Sequence, residues 1–150
     1  MNNTAHFTVI RHTGTRVRAR GLFGSRDAGL AEAERLRKAA PHERYDVAIV
    51  TMLEQDPATG TPMGHLAPRN PYGFVIASLS HLDPARRRID WSVNDLDSTS
   101  GRAAQWRSRT AAHAGRGVFD VVALTIIDRD PSTVTDDPPR ITTEKDIAAP

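Results

Sequence analysis

The sequence contains no cysteine. Disulfides, thiolate zinc sites, iron–sulfur clusters and thiol nucleophiles are therefore excluded together. Lysine is nearly absent too: of the 20 basic residues, all but Lys38 and Lys145 are arginine. No apolar run approaches the ~18 residues of a membrane-spanning helix. The opening MNNTAHFTVIRH lacks the charged-then-apolar layout of a signal peptide, so a cytoplasmic location is expected. The six histidines (His6, His12, His42, His65, His81 and His113) show no H-x-H or H-x-x-x-H spacing. There is no P-loop, no G-x-G-x-x-G and no G-x-S-x-G elbow. Neither a metal nor a cofactor is expected, and an enzyme is the less favoured class.

The chain has 150 residues, enough for one domain that buries roughly 70% of its unfolded surface. A net charge of +2 falls well short of a dedicated nucleic-acid binder. The charge is uneven, however: residues 1–44 carry an excess of arginine, while residues 131–150 are acidic on balance. Arginine usage this heavy suits bidentate contacts with phosphate or carboxylate, and it also fits a G+C-rich coding sequence.

One strand is written twice. YDVAIVTMLEQDP (45–57) returns as FDVVALTIIDRDP (119–131), and only Gln55 against Arg129 changes chemical class sharply. The flanking pattern repeats with it. HFTVIR and TRVRARGLF read as a hairpin, Ser25 as an N-cap, and SRDAGLAEAERLRKAAP as a helix. In the second half the strands are 73–80 and 87–93, the N-cap is Ser98, and a shorter helix ends near Gly115 or Gly117. The expected fold is therefore α+β: duplicated ββαβ units forming one ferredoxin-like sheet with two helices on one face. Repeat one covers 6–53, a Gly/Pro-rich linker 54–72, and repeat two 73–130, all within a single domain (1–130). Residues 131–150 are expected to form a flexible tail.

Both repeated strands are apolar on both faces, so the sheet needs a cover opposite the helices. The linker, a ligand pocket or a second copy could provide it, and a homodimer through the sheet face is the leading expectation.

Candidate sites follow from spacing. Arg16, Arg18 and Arg20 share one face of a strand whose Val17 and Ala19 point inward, a phosphate-reading strip or a solvated sheet surface. Arg11, Arg26 or Arg44 could extend it. Arg86–Arg88 read as a solvated turn. Tyr72-Gly73-Phe74-Val75 resembles the middle of the RNP1 motif of RNA-recognition motif domains, whose sheet aromatics stack on bases. The resemblance covers four residues; Asn70-Pro71 replaces the basic-Gly pair and Ala77 the closing aromatic, so it implies Tyr72 and Phe74 as stacking residues but no family membership. Trp106, on an arginine-rich helix, is a candidate partner anchor, and Trp91 is expected in the core. Asp46 and Asp120 occupy equivalent repeat positions, where they could meet near a twofold axis or close strand starts. Asn94–Trp106 fails the EF-hand pattern at both glycine and glutamate and reads as helix capping.

These features suggest a small non-enzymatic binding or regulatory protein that takes nucleic acid, another anionic macromolecule or a protein partner. A dimeric α+β-barrel small-molecule binder or enzyme, using Asp46, Asp120, His65 or His81, is the alternative. A protein-interaction or inhibitor module acting through Trp106 and the 54–73 loop is a third.

Overall fold

The computed structural model describes residues 5–13, 16–60, 70–113 and 117–131. Along the chain lie β1 (His6–Thr13), β2 (Arg16–Phe23), α1 (Arg26–Ala39), β3 (Arg44–Glu54), β4 (Gly73–Ala77), α2 (Leu96–Thr110) and β5 (Asp120–Asp128). The architecture is α+β: a curled five-stranded antiparallel sheet, in the order β2-β1-β3-β5-β4, with two helices. The expected tail beyond 131, the middle of the linker and the tip of the first hairpin lie outside the described residues. No described helix is long and apolar enough to cross a membrane.

Local chemistry sets the helix ends. The Ser25 hydroxyl accepts from the Ala28 N–H at 3.1 Å, Asp27 lies in the first turn of α1, and Arg37 and Lys38 lie in its last. The small residues Gly29 and Ala33 let α1 lie close: a β-carbon added at Gly29 would stand 3.4 Å from Phe7 and Val47. The second helix begins earlier than expected. Asp95, not Ser98, is the N-cap, and its carboxylate accepts from the Ser98 N–H at 2.7 Å. An anion answers the positive end of the helix better than a hydroxyl, so α2 takes in Leu96 and Asp97 and is no shorter than α1.

The expected strand at 87–93 does not form as a continuous element. Instead residues 89–94 make isolated bridges to both edges of the sheet. Ile89 pairs with Ala77 and Asn94 with Phe74, while Ser92 pairs with Arg18 of β2. The Asp90 N–H reaches the Ile76 carbonyl at 2.8 Å, and the Ala19 N–H reaches the Trp91 carbonyl at 2.9 Å. One segment thus joins β4 to β2, and the curl closes on itself.

That closure supplies the missing cover. Ala48, Val50 and Met52 of β3 meet Val122 and Leu124 of β5 inside the curl, with Ala19, Tyr72, Val75 and Val93 completing the core. An open sheet with this inner face would need a second copy; a closed one buries it within the chain. The apolar inner face therefore gives no reason to expect a homodimer. The helices pack outside, α1 over Val9 and Val47, α2 over Ile76 and Val121.

The central pairing is symmetric. Val50 faces Leu124, flanked by Ile49–Thr125 and Thr51–Ala123, then by Ala48–Ile126 and Met52–Val122. Beyond these the register shifts on both sides, between Val47 and Ala48 and between Met52 and Glu54. The Asp-Pro terminators take part in the same arrangement. Asp130 donates its N–H to Asp46 at 2.7 Å and accepts from the Tyr45 N–H at 3.0 Å. Asp56 donates its N–H to Asp120 at 2.6 Å and accepts from the Phe119 N–H at 2.9 Å. Each strand ends on an aspartate that grips the start of the other.

Candidate functional site

The strand β2 sets up the outer basic surface. Arg16, Arg18 and Arg20 stand opposite Thr13, Arg11 and Val9 of β1. Between them, Ala19 is buried and Val17 packs against the inner core, so the three arginines project outward as the alternation requires. Beyond Arg20 the register slips at Gly21, whose φ of 78° is left-handed. Thr8 donates to the Gly21 carbonyl at 2.6 Å. This bulge reverses the parity of β2: Leu22 turns toward the inner core and Phe23 toward α1.

Among the described residues, none of the three arginines forms an ion pair. Arg11 shares their face but is neutralised by Glu43, to which it donates at 3.0 and 2.6 Å. Glu43 also accepts from the Tyr45 hydroxyl at 2.7 Å, and Arg11 and Tyr45 together pull its pKa down to about 2. Arg44 is buried beside Asp46. The expected extension of the strip through Arg11 or Arg44 is therefore not available.

Trp91 is the aromatic on this surface. Ile89 and Val93 both face the core, and strict alternation would send Trp91 the same way. The backbone bends at Trp91 between two bridges, so its side chain turns outward and is 57% exposed. The Arg18 guanidinium lies 4.7 Å from the centre of its ring, a cation–π contact that orients the indole. Trp106, expected as an exposed anchor, is instead partly buried against Ile76, Ala103 and Val121, edge-on to Phe119 at 5.4 Å. The two tryptophans have exchanged their expected places. Tyr72 and Phe74 are only 5% exposed, so neither ring offers a face to a base.

A second cluster lies inside the curl at one end. The His12 Nε2 stands 2.9 Å from Asp46, and the Arg44 Nε 3.1 Å from the same carboxylate. Burial alone would raise the Asp46 pKa, but His12, the Asp130 N–H and Arg44 outweigh it and hold the carboxyl below its ordinary range. An ionised Asp46 makes the His12 Nε2 the protonated nitrogen. The His12 Nδ1 and the Tyr72 hydroxyl are buried without a partner among the described residues, and their rings meet edge-on at 5.7 Å. Burial and the Asp46 charge raise the Tyr72 phenol, which stays protonated. Nothing in the sequence pattern marked His12; it required the register that sets Ile10 opposite Asp46.

Asp46 and Asp120 do not meet. They begin antiparallel neighbours and so lie at opposite ends of the central pair. Asp120 accepts from the Ser80 N–H at 2.7 Å and the Ser80 hydroxyl at 2.8 Å, yet burial still raises its pKa. An open cleft of about 400 Å³ has Ala58, Thr59, His81, Leu82, His113 and Val118 among its lining residues. His65 lies outside the described residues. The described residues hold no group of three or more His, Asp or Glu suited to a metal.

The chain matches no family model, no curated protein and no solved structure. The site must be read from its own geometry.

Proposed function

We propose that this is a non-enzymatic binding protein whose working surface is the outer face of β2, taking an anionic macromolecule. The observation that carries the reading is the set Arg16, Arg18 and Arg20, projecting together with no carboxylate paired to any of them among the described residues. Opposite charges interspersed on a solvated sheet surface would neutralise one another; this strip keeps its field. The symmetric register about Val50 and Leu124 and the two aspartate grips support a duplicated ββαβ origin, in which only the first unit acquired the basic strand. At the second unit's corresponding surface stands the irregular 89–94 segment.

The test is fluorescence anisotropy of labelled heparin fragment and labelled nucleic acids at ~50 and ~200 mM salt. Binding that weakens at the higher salt, and is lost when all three arginines become alanine, is the expected outcome. A triple variant that binds as the parent does would sink the proposal. A second reading, a small-molecule binder, rests on the cleft beside His81. His81 Nδ1 accepts from the Asp83 N–H at 3.0 Å, which leaves Nε2 as its donor nitrogen.

A further inference from the structure

We infer that the polymer taken by the β2 surface is a single-stranded nucleic acid, selected by a base stacking on Trp91. This inference rests on the anionic-macromolecule reading of the same surface and adds to it a second, independent feature. Charge alone would recognise any polyanion. The exposed indole recognises only one that can present an aromatic face.

Three observations lead here. First, Trp91 is turned out of a segment whose neighbours Ile89 and Val93 both face the core. An indole left this open forgoes apolar burial that its sequence neighbours obtain. Second, Arg18 lies against the ring at 4.7 Å, so the aromatic platform and the cationic strip form one continuous surface. Aromatic platforms interleaved with arginine are the general recipe for holding single strands without sequence readout.

Third, the spacing fits. Alternate side chains on a strand repeat every ~6.8 Å, twice the ~3.4 Å rise per residue. A stacked nucleic-acid strand advances about 3.4 Å per nucleotide. Its phosphates wind around the helix axis and so lie farther apart than that axial rise, which lets the three arginines meet successive phosphates of one strand. The choice of a single strand comes from Trp91: an unpaired base is free to leave its neighbours and stack on the exposed indole. A duplex keeps its bases paired and stacked inside, with no face to offer the indole.

The acidic groups around the patch limit its length. Asp90 adjoins Trp91 in the chain, Glu43 holds Arg11, and Glu32, bonded to Arg35, also feels the charge of Arg20. A footprint of three phosphates follows. With about −0.7 per phosphate for single strands, the slope of log affinity against log salt comes to roughly −2.

The experiment uses the full chain carrying Trp106→Phe, so that Trp91 is the sole tryptophan. It is titrated into a labelled twelve-nucleotide oligo-dT, the corresponding labelled dA·dT duplex and a labelled heparin fragment. Affinity is read by anisotropy for every variant, and Trp91 emission is followed where the indole is present. Oligo-dT should quench the Trp91 emission, bind more tightly than the duplex, and show the slope of about −2. Replacing Trp91 by alanine should weaken oligo-dT about 5- to 150-fold, the worth of one base stack, and weaken heparin far less. Trp91→Phe should recover part of the loss. Equal affinity for duplex and single strand, or an alanine variant that still binds oligo-dT like its parent, would overturn the inference while leaving the polyanion reading standing. Failure to bind heparin as well would overturn both. Far-ultraviolet circular dichroism of each variant, Trp106→Phe included, is the check that the substitution has not unfolded the chain.

Discussion

His12 and Asp46 show how one side chain can decide the pH behaviour of a core. Asp46 is fully buried and holds its charge because His12, Arg44 and the Asp130 N–H surround it. Its folded pKa is depressed below the ordinary value of about 3.9. Stability from this group is therefore complete above that value and is lost as pH falls through the lower, folded value. Asp120 works in the opposite sense. Its folded pKa is raised by burial, so the folded state gains relative stability as pH falls through the raised value toward the ordinary one. Urea unfolding from pH 7 down to pH 2 should show parent stability falling steeply at the acid end. Asp46→Asn should be less stable at pH 7 and flatter in that acid limb. An equally steep acid limb in the variant would show that Asp46 is not the group responsible. The orientation of Trp91 belongs to this scale as well: one bent residue places an indole outside that period-two alternation would have placed inside.

Elements follow the sequence where local chemistry is decisive and depart from it where two local signals compete. The first helix has one good cap, Ser25, and its bounds were legible. The second is preceded by Asn94-Asp95-Leu96-Asp97 and then Ser98, which offers several caps within five residues. Asp95 takes the role, and Ser98 becomes a donor to it. Asp95→Ala should therefore cost about 1 kcal/mol in chemical denaturation, and Ser98→Ala no more than about 0.5 kcal/mol. The reverse ranking would return the cap to Ser98. In β2 the alternation that places Arg16, Arg18 and Arg20 outward was readable. The bulge at Gly21 was not, because a lone glycine in a strand does not say whether the register slips there.

At the scale of the whole molecule the decisive event is the joining of β2 to β4 through residues 89–94. It turns a sheet that would expose an apolar face into one that encloses it, and it brings Trp91 beside Arg18 across a gap of more than seventy residues. Amide hydrogen exchange can measure this seam. The amides of Val50 and Leu124, on the central strands, should exchange only through global unfolding. Those of Ala19 and Asp90, bonded across the seam at 2.9 and 2.8 Å, should be protected but faster. Unprotected exchange at both would mean that the curl is open in solution.

By itself, the sequence determined the α+β class, the order of the elements apart from the strand expected at 87–93, the bounds of α1 and the outward row of arginines, because each depends on side-chain period or on neighbours a few residues apart. It also wrote the two Asp-Pro terminators, although not what their carboxylates would hold. Tertiary structure decided the rest: the closure of the sheet, the burial of His12 against Asp46, the covered rings of Tyr72 and Phe74, and the exchange of roles between Trp91 and Trp106. Those outcomes depend on which strand lies beside which and in what register. Pairings between residues dozens of positions apart are fixed by the best joint burial of all the strands, which no local window of the chain contains.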